Sequence, residues 1–328
     1  MLFRSPRTAV LGHTIHLDLP EPVRNPARYL LYRDVFERVA ELGGVSGYAH
    51  AFGYGGGSRT DVGLAIDAPS GLVDFVEVLQ AGLLGTDLWF DLLNLGFQIG
   101  PAAGSDYPYL GLLGSVRTYV QIDGAYSPDA WFDNLAQGRT FVTNGPVVGL
   151  TVNGKGIGSR IELKAGETVS ISADASISPD IDLLERLVLI EQGKVVAEAV
   201  AKGGKERLSL TYKAPAGHGT WFVVRASGLT KSASGFGLQQ AVQAISAPVY
   251  VSVNGERTWR KDQVAGIAKR QIDLLDKLAA TTLTATSGAE YWEDAGPLLS
   301  QGPQQLELLG KRIDEARQFF RKLIEDAR

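Results

Sequence analysis

The chain has no cysteine in 328 residues, which excludes disulfides and thiolate-held metals. Any metal would have to be held by histidine, carboxylate or water. Histidine is itself scarce, with four in all, and three of them, His13, His16 and His50, fall within the first fifty residues. The fourth, His218, lies far downstream. No stretch reaches the roughly 18–20 apolar residues that a membrane helix requires. There is no surplus of positive charge either: the net charge is −4, which gives no electrostatic footprint for nucleic acid or an anionic membrane. The first twenty residues carry Arg4 and Arg7 but lack an apolar core of signal-peptide length. The compartment is therefore cytoplasmic by default, and exported if the natural N-terminus lies further upstream. What remains is an ordinary composition, 45% hydrophobic and 21% charged, with length for two or three domains.

Thr8 to Leu19 reads as a strand stopped by Pro20 and Pro22. A helix follows from Asn25-Pro26 to Leu42 and ends at Gly43-Gly44. Val45 to Ala49 is a short buried strand that leads into His50, and a glycine-rich loop runs from Gly53 to Ser58. Val73 to Val78 is a strand, Asp87 to Leu95 a helix and Gln98 to Asp106 the next strand. Arg117 to Ile122 is another strand and Pro128 to Gln137 a short helix. Strands alternating with helices argue a parallel α/β layout.

Near Thr143-Asn144-Gly145-Pro146 the pattern changes. From Val147 to Val253 short β runs are separated by turn signals, among them Asn153-Gly154, Gln192-Gly193 and Gly203-Gly204. This spacing predicts an antiparallel sandwich of about a hundred residues. From Arg260 onward apolar residues recur at helical spacing in two stretches separated by Ser287 to Pro297, which predicts an antiparallel helical pair. The expected division is 1–146, 147–255 and 256–328.

Several pieces fall in one order: Gly12-His13 after a strand, Gly47-Tyr48-Ala49-His50 ending another, Val73-Asp74-Phe75-Val76-Glu77, Leu92 to Phe97, Ala103-Gly104-Ser105-Asp106, and Gly138 to Pro146. Together they resemble the CehA/McbA-like branch of the PHP (polymerase and histidinol phosphatase) metallohydrolases, over roughly residues 8–255. The resemblance implies a partial, distorted (β/α) barrel with metal at the C-terminal ends of its strands, followed by a β-sandwich. It implies hydrolysis of an ester, phosphoester or carbamate-type bond in a small molecule, with zinc, manganese or iron as the divalent metal. The family's opening His-x-His strand and early acidic pair are absent, and Pro108 stands where many members have a histidine. The chain therefore resembles a member lacking its N-terminal metal motifs, either because its N-terminal portion is missing or because the form has lost part of its site, so that the site is expected to be incomplete.

Carried onto this sequence, the metal ligands are His13, His50 and Asp106, and the candidate catalytic groups are Asp106, His50 and Glu77. Glu77 could accept the second N–H of a ligating imidazole or form a plain salt bridge. Gly55, Gly56 and Tyr107 are the candidate substrate contacts. The glycine run could offer backbone N–H groups to an oxyanion, but it lacks P-loop and Rossmann spacing and reads more simply as a flexible loop. His16, three residues from His13 on a strand, faces the other side and reads as structural or peripheral. His218 reads as a surface turn. No serine has nucleophile-elbow context, which argues against a serine hydrolase. The rival reading is a non-catalytic binding or scaffold protein on a degenerate PHP fold. Its open barrel edge would be covered by a second copy in a homodimer.

Overall fold

The computed structural model describes residues 7–8, 10–23, 31–55, 59–80, 82–233, 239–282 and 295–328. Its first part is a six-stranded mixed sheet flanked by helices. The strands are β1 (Arg7–Thr8), β2 (Gly12–Leu17), β3 (Val45–Tyr48), β4 (Phe75–Gln80), β5 (Leu83–Leu84) and β6 (Gly100–Gly104). The helices are α1 (Tyr32–Glu41), α2 (Thr60–Asp67) and α3 (Asp87–Asn94). The order is β1-β2-β3-β4-β5, with β6 also on β4. Only β3, β4 and β6 run parallel. β2 is antiparallel to β3, so the wholly parallel layout expected from the alternation of elements is corrected to a mixed one.

The single strand expected over Thr8 to Leu19 is a hairpin. Gly12, at φ 85°, takes a conformation closed to most side chains, and the chain folds back so that Thr8 pairs with Gly12. β4, sequence FVEVLQ, is buried at every position. Both faces of this strand are covered, which explains why its apolar run barely alternates. The sequence reading passed over α2, whose eight residues are all buried.

The second part begins earlier than the change in sequence pattern. β7 (Arg117–Val120), α4 (Pro128–Ala136) and β8 (Thr140–Thr143) precede Val147, yet β7 pairs with β8 and β8 with a later strand. β7 and β8 therefore belong to the second sheet, whereas α4 packs on the first, with Leu135 against Val45, Phe75 and Ala102. The remaining strands are β9 (Val147–Val152), β10 (Arg160–Leu163), β11 (Thr168–Ser176), β12 (Leu184–Glu191), β13 (Lys194–Lys205), β14 (Arg207–Pro215), β15 (Thr220–Ala233), β16 (Gln239–Ser246) and β17 (Val249–Val253). An eight-stranded sheet holds β7, β8, β10, β12, β13, β15, β16 and β17, and it faces a three-stranded sheet ordered β14-β11-β9. The pairings are antiparallel except that β10 lies parallel to β17. Gln192-Gly193, with φ 46° and 84°, makes the tight turn between β12 and β13 that its sequence signals. Gly203-Gly204, expected as a turn, instead lies inside β13 at positive φ, where a Cβ on Gly204 would strike Leu183 and Leu229.

Side-chain parity explains how the layers join. Along β15, Phe222, Val224 and Ala226 face the sandwich core, while Trp221 and Val223 face the core of the first part. The eight-stranded sheet is thus apolar on both sides. The C-terminal helices α5 (Lys261–Thr282) and α6 (Ala295–Asp326) complete that first core with Val264, Ile267, Leu275, Ile313 and Phe320. Pro297, expected in the connection, lies in the first turn of α6, where a missing N–H costs nothing. The rest of the expected connection, 287–294, lies outside the described residues. Among the described residues, no helix is long and apolar enough to cross a membrane.

The outer edge of β6 is not bare. Thr118 Oγ1 accepts from the Ala103 N–H at 2.8 Å, and Thr140 Oγ1 donates to the Pro101 carbonyl at 2.8 Å. β7 and β8 of the same chain therefore lie along this edge of the first sheet.

Candidate functional site

The parallel strands β3, β4 and β6 bring their C-terminal ends to one edge of the first sheet. The antiparallel β2 starts at that edge, so His13 arrives beside the end of β3, where its carbonyl accepts the Ala49 N–H at 2.9 Å. His50 follows immediately, and the two imidazole centroids are 5.7 Å apart. Asp106 leaves β6 at the same edge. Both His50 (φ 59°) and Asp106 (φ 52°) have left-handed backbones, which costs an ordinary side chain about 1–2 kcal/mol. Asp18, Arg59, Asn153, Gln192 and Asn254 share this conformation, so it bears on function only together with the side chains gathered here.

Glu77 sits between them. Although it belongs to the middle of β4, its carboxylate turns to the site, and its Oε2 accepts the His50 backbone N–H at 3.0 Å. The same oxygen is 3.5 Å from His50 Nδ1. Its Oε1 occupies the volume that a Cβ at position 104 would need, so the glycine in Gly104-Ser105-Asp106 is required by close approach. Burial pushes the Glu77 carboxyl up to about 7; the His50 N–H pulls the other way, and the negative charge of Asp106 adds to the rise.

The other two histidines lie apart from this group. His16 is hydrogen-bonded through Nδ1 to Ser46 Oγ at 2.9 Å and through Nε2 to Thr14 Oγ1 at 3.0 Å, with its ring edge-on to Phe36. Burial, then the neighbouring His13, lowers its pKa to about 4. His218 is exposed in the turn between β14 and β15.

The expected substrate contacts fare differently. The Gly55 N–H donates to Asp61 Oδ2 at 2.9 Å and is not turned toward an oxyanion. Gly56 lies outside the described residues. Tyr107 stands beside Asp106 with 58% of its surface exposed.

The sequence reading missed the groups that hold the glycine loop. Tyr54 donates to Asp91 Oδ2 of α3 at 2.6 Å and accepts from Gln271 Nε2 of α5 at 2.9 Å. The Arg270 guanidinium lies 4.9 Å above the Tyr54 ring and 3.0 Å from Asp91. The loop after His50 is thereby tied to two helices. A lone tyrosine in a glycine run was the available signal, but its partners are up to 217 positions away.

Imidazole nitrogens and carboxylate oxygens are the donor types that zinc, manganese and iron accept. Among the described residues, however, no group of three or more His, Asp or Glu side chains is gathered closely enough to hold a metal ion. The donors fit in kind, and they stand as neighbours around the Glu77–His50 pair.

Fold and site together define a mixed α/β unit joined to a β-sandwich, with a histidine–carboxylate group at the edge of its sheet. No family model matches this chain, and no curated protein matches it. Among solved structures it is similar to the fibronectin(III)-like modules of Clostridium thermocellum CbhA, at 16% identity over 33% of this chain and 98% of that one, with a TM-score of 0.20. At that score the likeness bears on neither fold nor site.

Proposed function

We infer that this chain is a metal-dependent hydrolase of the PHP class, acting on an ester, phosphoester or carbamate-type bond, with its first sheet as a partial, distorted barrel. The observation that carries the reading is the Glu77–His50 pair. A carboxylate beside one imidazole nitrogen fixes the ring and leaves the other nitrogen for a metal, the arrangement found around ligating histidines in general. With Glu77 Oε2 3.5 Å from Nδ1, Nε2 would be the nitrogen left for the metal.

His13, His50 and Asp106 would hold the ion. When bound, a divalent metal supplies a water of pKa about 7 and polarises the scissile carbonyl or phosphoryl group. The protein's own contribution is orientation. Glu77 holds the His50 backbone and ring, and the turn after β6 holds Asp106, whose carbonyl accepts the N–H groups of Tyr109 and Leu110 at 2.7 and 3.0 Å.

Metal content by plasma mass spectrometry, on protein purified without chelator, tests the reading. Stoichiometric zinc, manganese or iron that is lost in both His50→Ala and Asp106→Ala is the expected result. A parent chain that stays metal-free after reconstitution with each ion would sink it.

A further inference from the structure

β4 ends on a buried polar side chain that the proposed reaction has not used. Gln80 is its last residue and is 3% exposed, and its Nε2 has no hydrogen-bond partner among the described residues. A buried amide donor without an acceptor costs stability, so its position needs a reason.

Strand register shows which way it faces. β4 runs beside β6 with Phe75 opposite Gly100 and Glu77 opposite Ala102. Phe75 and Ala102 pack with Val45 and Leu135 on one face of the sheet, and Val76 packs into the larger core on the other. Strict alternation from Val76 would send Gln80 into that larger core as well. An irregularity between Glu77 and Leu79 prevents it: Val78 and Leu79 both enter the larger core, and Gln80 comes opposite Gly104. Gln80 therefore shares the face of Glu77, one position nearer to Asp106. His13 is on this face too, because Ile15 and Leu17 of β2 pack on it and side chains alternate along the strand. The space of the absent Gly104 side chain is filled by Glu77 Oε1, which makes that carboxylate a neighbour of the amide. Re-aiming one side chain toward a site is a known use of a bulge.

We propose that Gln80 binds the substrate of the hydrolase inferred above, its Nε2 donating to an oxygen of the scissile group. That oxygen is the carbonyl oxygen of an ester or carbamate, or a phosphoryl oxygen. The inference rests on the hydrolase reading. A donor aimed at this oxygen counters the negative charge that grows on it as water attacks. An uncharged donor suits this edge, since a lysine or arginine there would pair with Glu77 and Asp106 instead of the substrate.

The test uses the full chain reconstituted with metal, with p-nitrophenyl acetate and p-nitrophenyl phosphate as probes of the two oxygen types. Gln80→Met keeps the length of the side chain and removes the donor. It should hold as much metal as the parent and melt no lower, because a buried unpaired group has gone. Its kcat/KM should fall roughly 100-fold or more on whichever probe the parent cleaves. Gln80→Leu, a second apolar replacement, should behave alike. Lower melting in both variants would make the amide architectural, and undiminished kcat/KM would put it out of the substrate's reach; either result overturns the proposal. So would loss of metal along with the amide, or a metal-loaded parent that cleaves neither probe. A parent that takes up no metal fails the hydrolase reading itself and the proposal with it, so metal content tells the two failures apart.

Discussion

Two buried carboxylates in the first part of this molecule have nearly equal exposure and opposite surroundings. Asp67 is 2% exposed and Glu77 4%. Asp67, at the end of α2, accepts the Tyr48 hydroxyl at 2.7 Å and has Arg33 Nε at 3.9 Å. Arg33 in turn donates to the Ile66 carbonyl and to Glu315 of α6. The Asp67 charge therefore sits inside a network that fastens three helices and a strand. Glu77 has no arginine or lysine beside it among the described residues. It has a backbone N–H, an imidazole and a second acid. A buried charge with a fixed cation is a joint, and a buried charge held against another acid at a strained edge is poised for a ligand.

The largest expected effect comes from breaking the joint. Asp67→Ala leaves the Tyr48 hydroxyl without its acceptor and removes the carboxylate charge 3.9 Å from a largely buried guanidinium that keeps its bonds to Ile66 and Glu315, and removing one member of such a pair costs about 3–5 kcal/mol. Glu77→Gln keeps an oxygen for the His50 N–H and removes repulsion from Asp106, so its stability should stay within about 1 kcal/mol of the parent. Urea unfolding of both variants measures the contrast. Equal losses would make Glu77 a joint as well and remove the distinction.

Titration sharpens the same contrast. Burial raises the Asp67 carboxyl from 3.8 to about 6, against the lowering effects of Tyr48, Arg33 and Arg312, while Glu37 adds to the rise. Between those two values the folded chain keeps a proton that the unfolded chain has released. The associated stability is complete below pH 3.8 and is lost as pH rises through about 6, by roughly 3 kcal/mol in all. Asp67→Asn carries no such proton. The parent should therefore lose stability relative to Asp67→Asn between pH 4 and 7, and a pH-independent difference between the two would contradict the assignment.

A smaller steric change probes the site edge itself. Gly104→Ala places a methyl where Glu77 Oε1 lies, and overpacking of this kind costs about 1–3 kcal/mol. Its metal uptake should fall with that of Glu77→Gln, whose loss of affinity is expected to be on the order of 10–100-fold. Uptake equal to the parent's in both variants would separate Glu77 from the ligand set.

The sandwich and the site edge also differ in how legible they were. Strands such as Val169 to Ala173 and Trp221 to Arg225 could be read because burial on alternate faces, or on both, is written in adjacent residues. α3 and α4 were legible for the same local reason: α4 has its cap in Ser127, whose Oγ accepts the Ala130 N–H, and Pro128 at its first turn. The positions His13, His50 and Asp106 could be marked as strand ends, and the chain does bring them to one edge. What stayed hidden depends on partners distant in sequence. β7 and β8 looked like part of the first unit until β8 was seen to pair with β16 about a hundred residues later. Gly203-Gly204 has the composition of a turn, and only its neighbours Leu183 and Leu229 show that it is a kink inside a strand. The turn of Glu77 toward His50 follows from the register of β3 on β4, which no local pattern records.

The smallest expected effect is the most discriminating, because it has the opposite sign. Glycine adopts φ near 55° without penalty, whereas an ordinary side chain such as that of His50 holds that conformation at a cost of about 1–2 kcal/mol, and the short polar side chain of Asp106 at a smaller one. The hydrogen bond that fixes His50 comes from its backbone N–H and survives replacement of the ring. For residues kept in place by folding alone, removal of the side chain would cost stability, as it should for Asp67. For residues kept by chemistry, His50→Gly and Asp106→Gly should each be neutral or stabilise the chain by about 0.5–1 kcal/mol, offset in part by the greater freedom of glycine when unfolded. Thermal melts at one pH read this directly. A clear loss in either variant would assign that side chain to the architecture, and a gain together with lost metal would mark both as positions where stability has been given up for function.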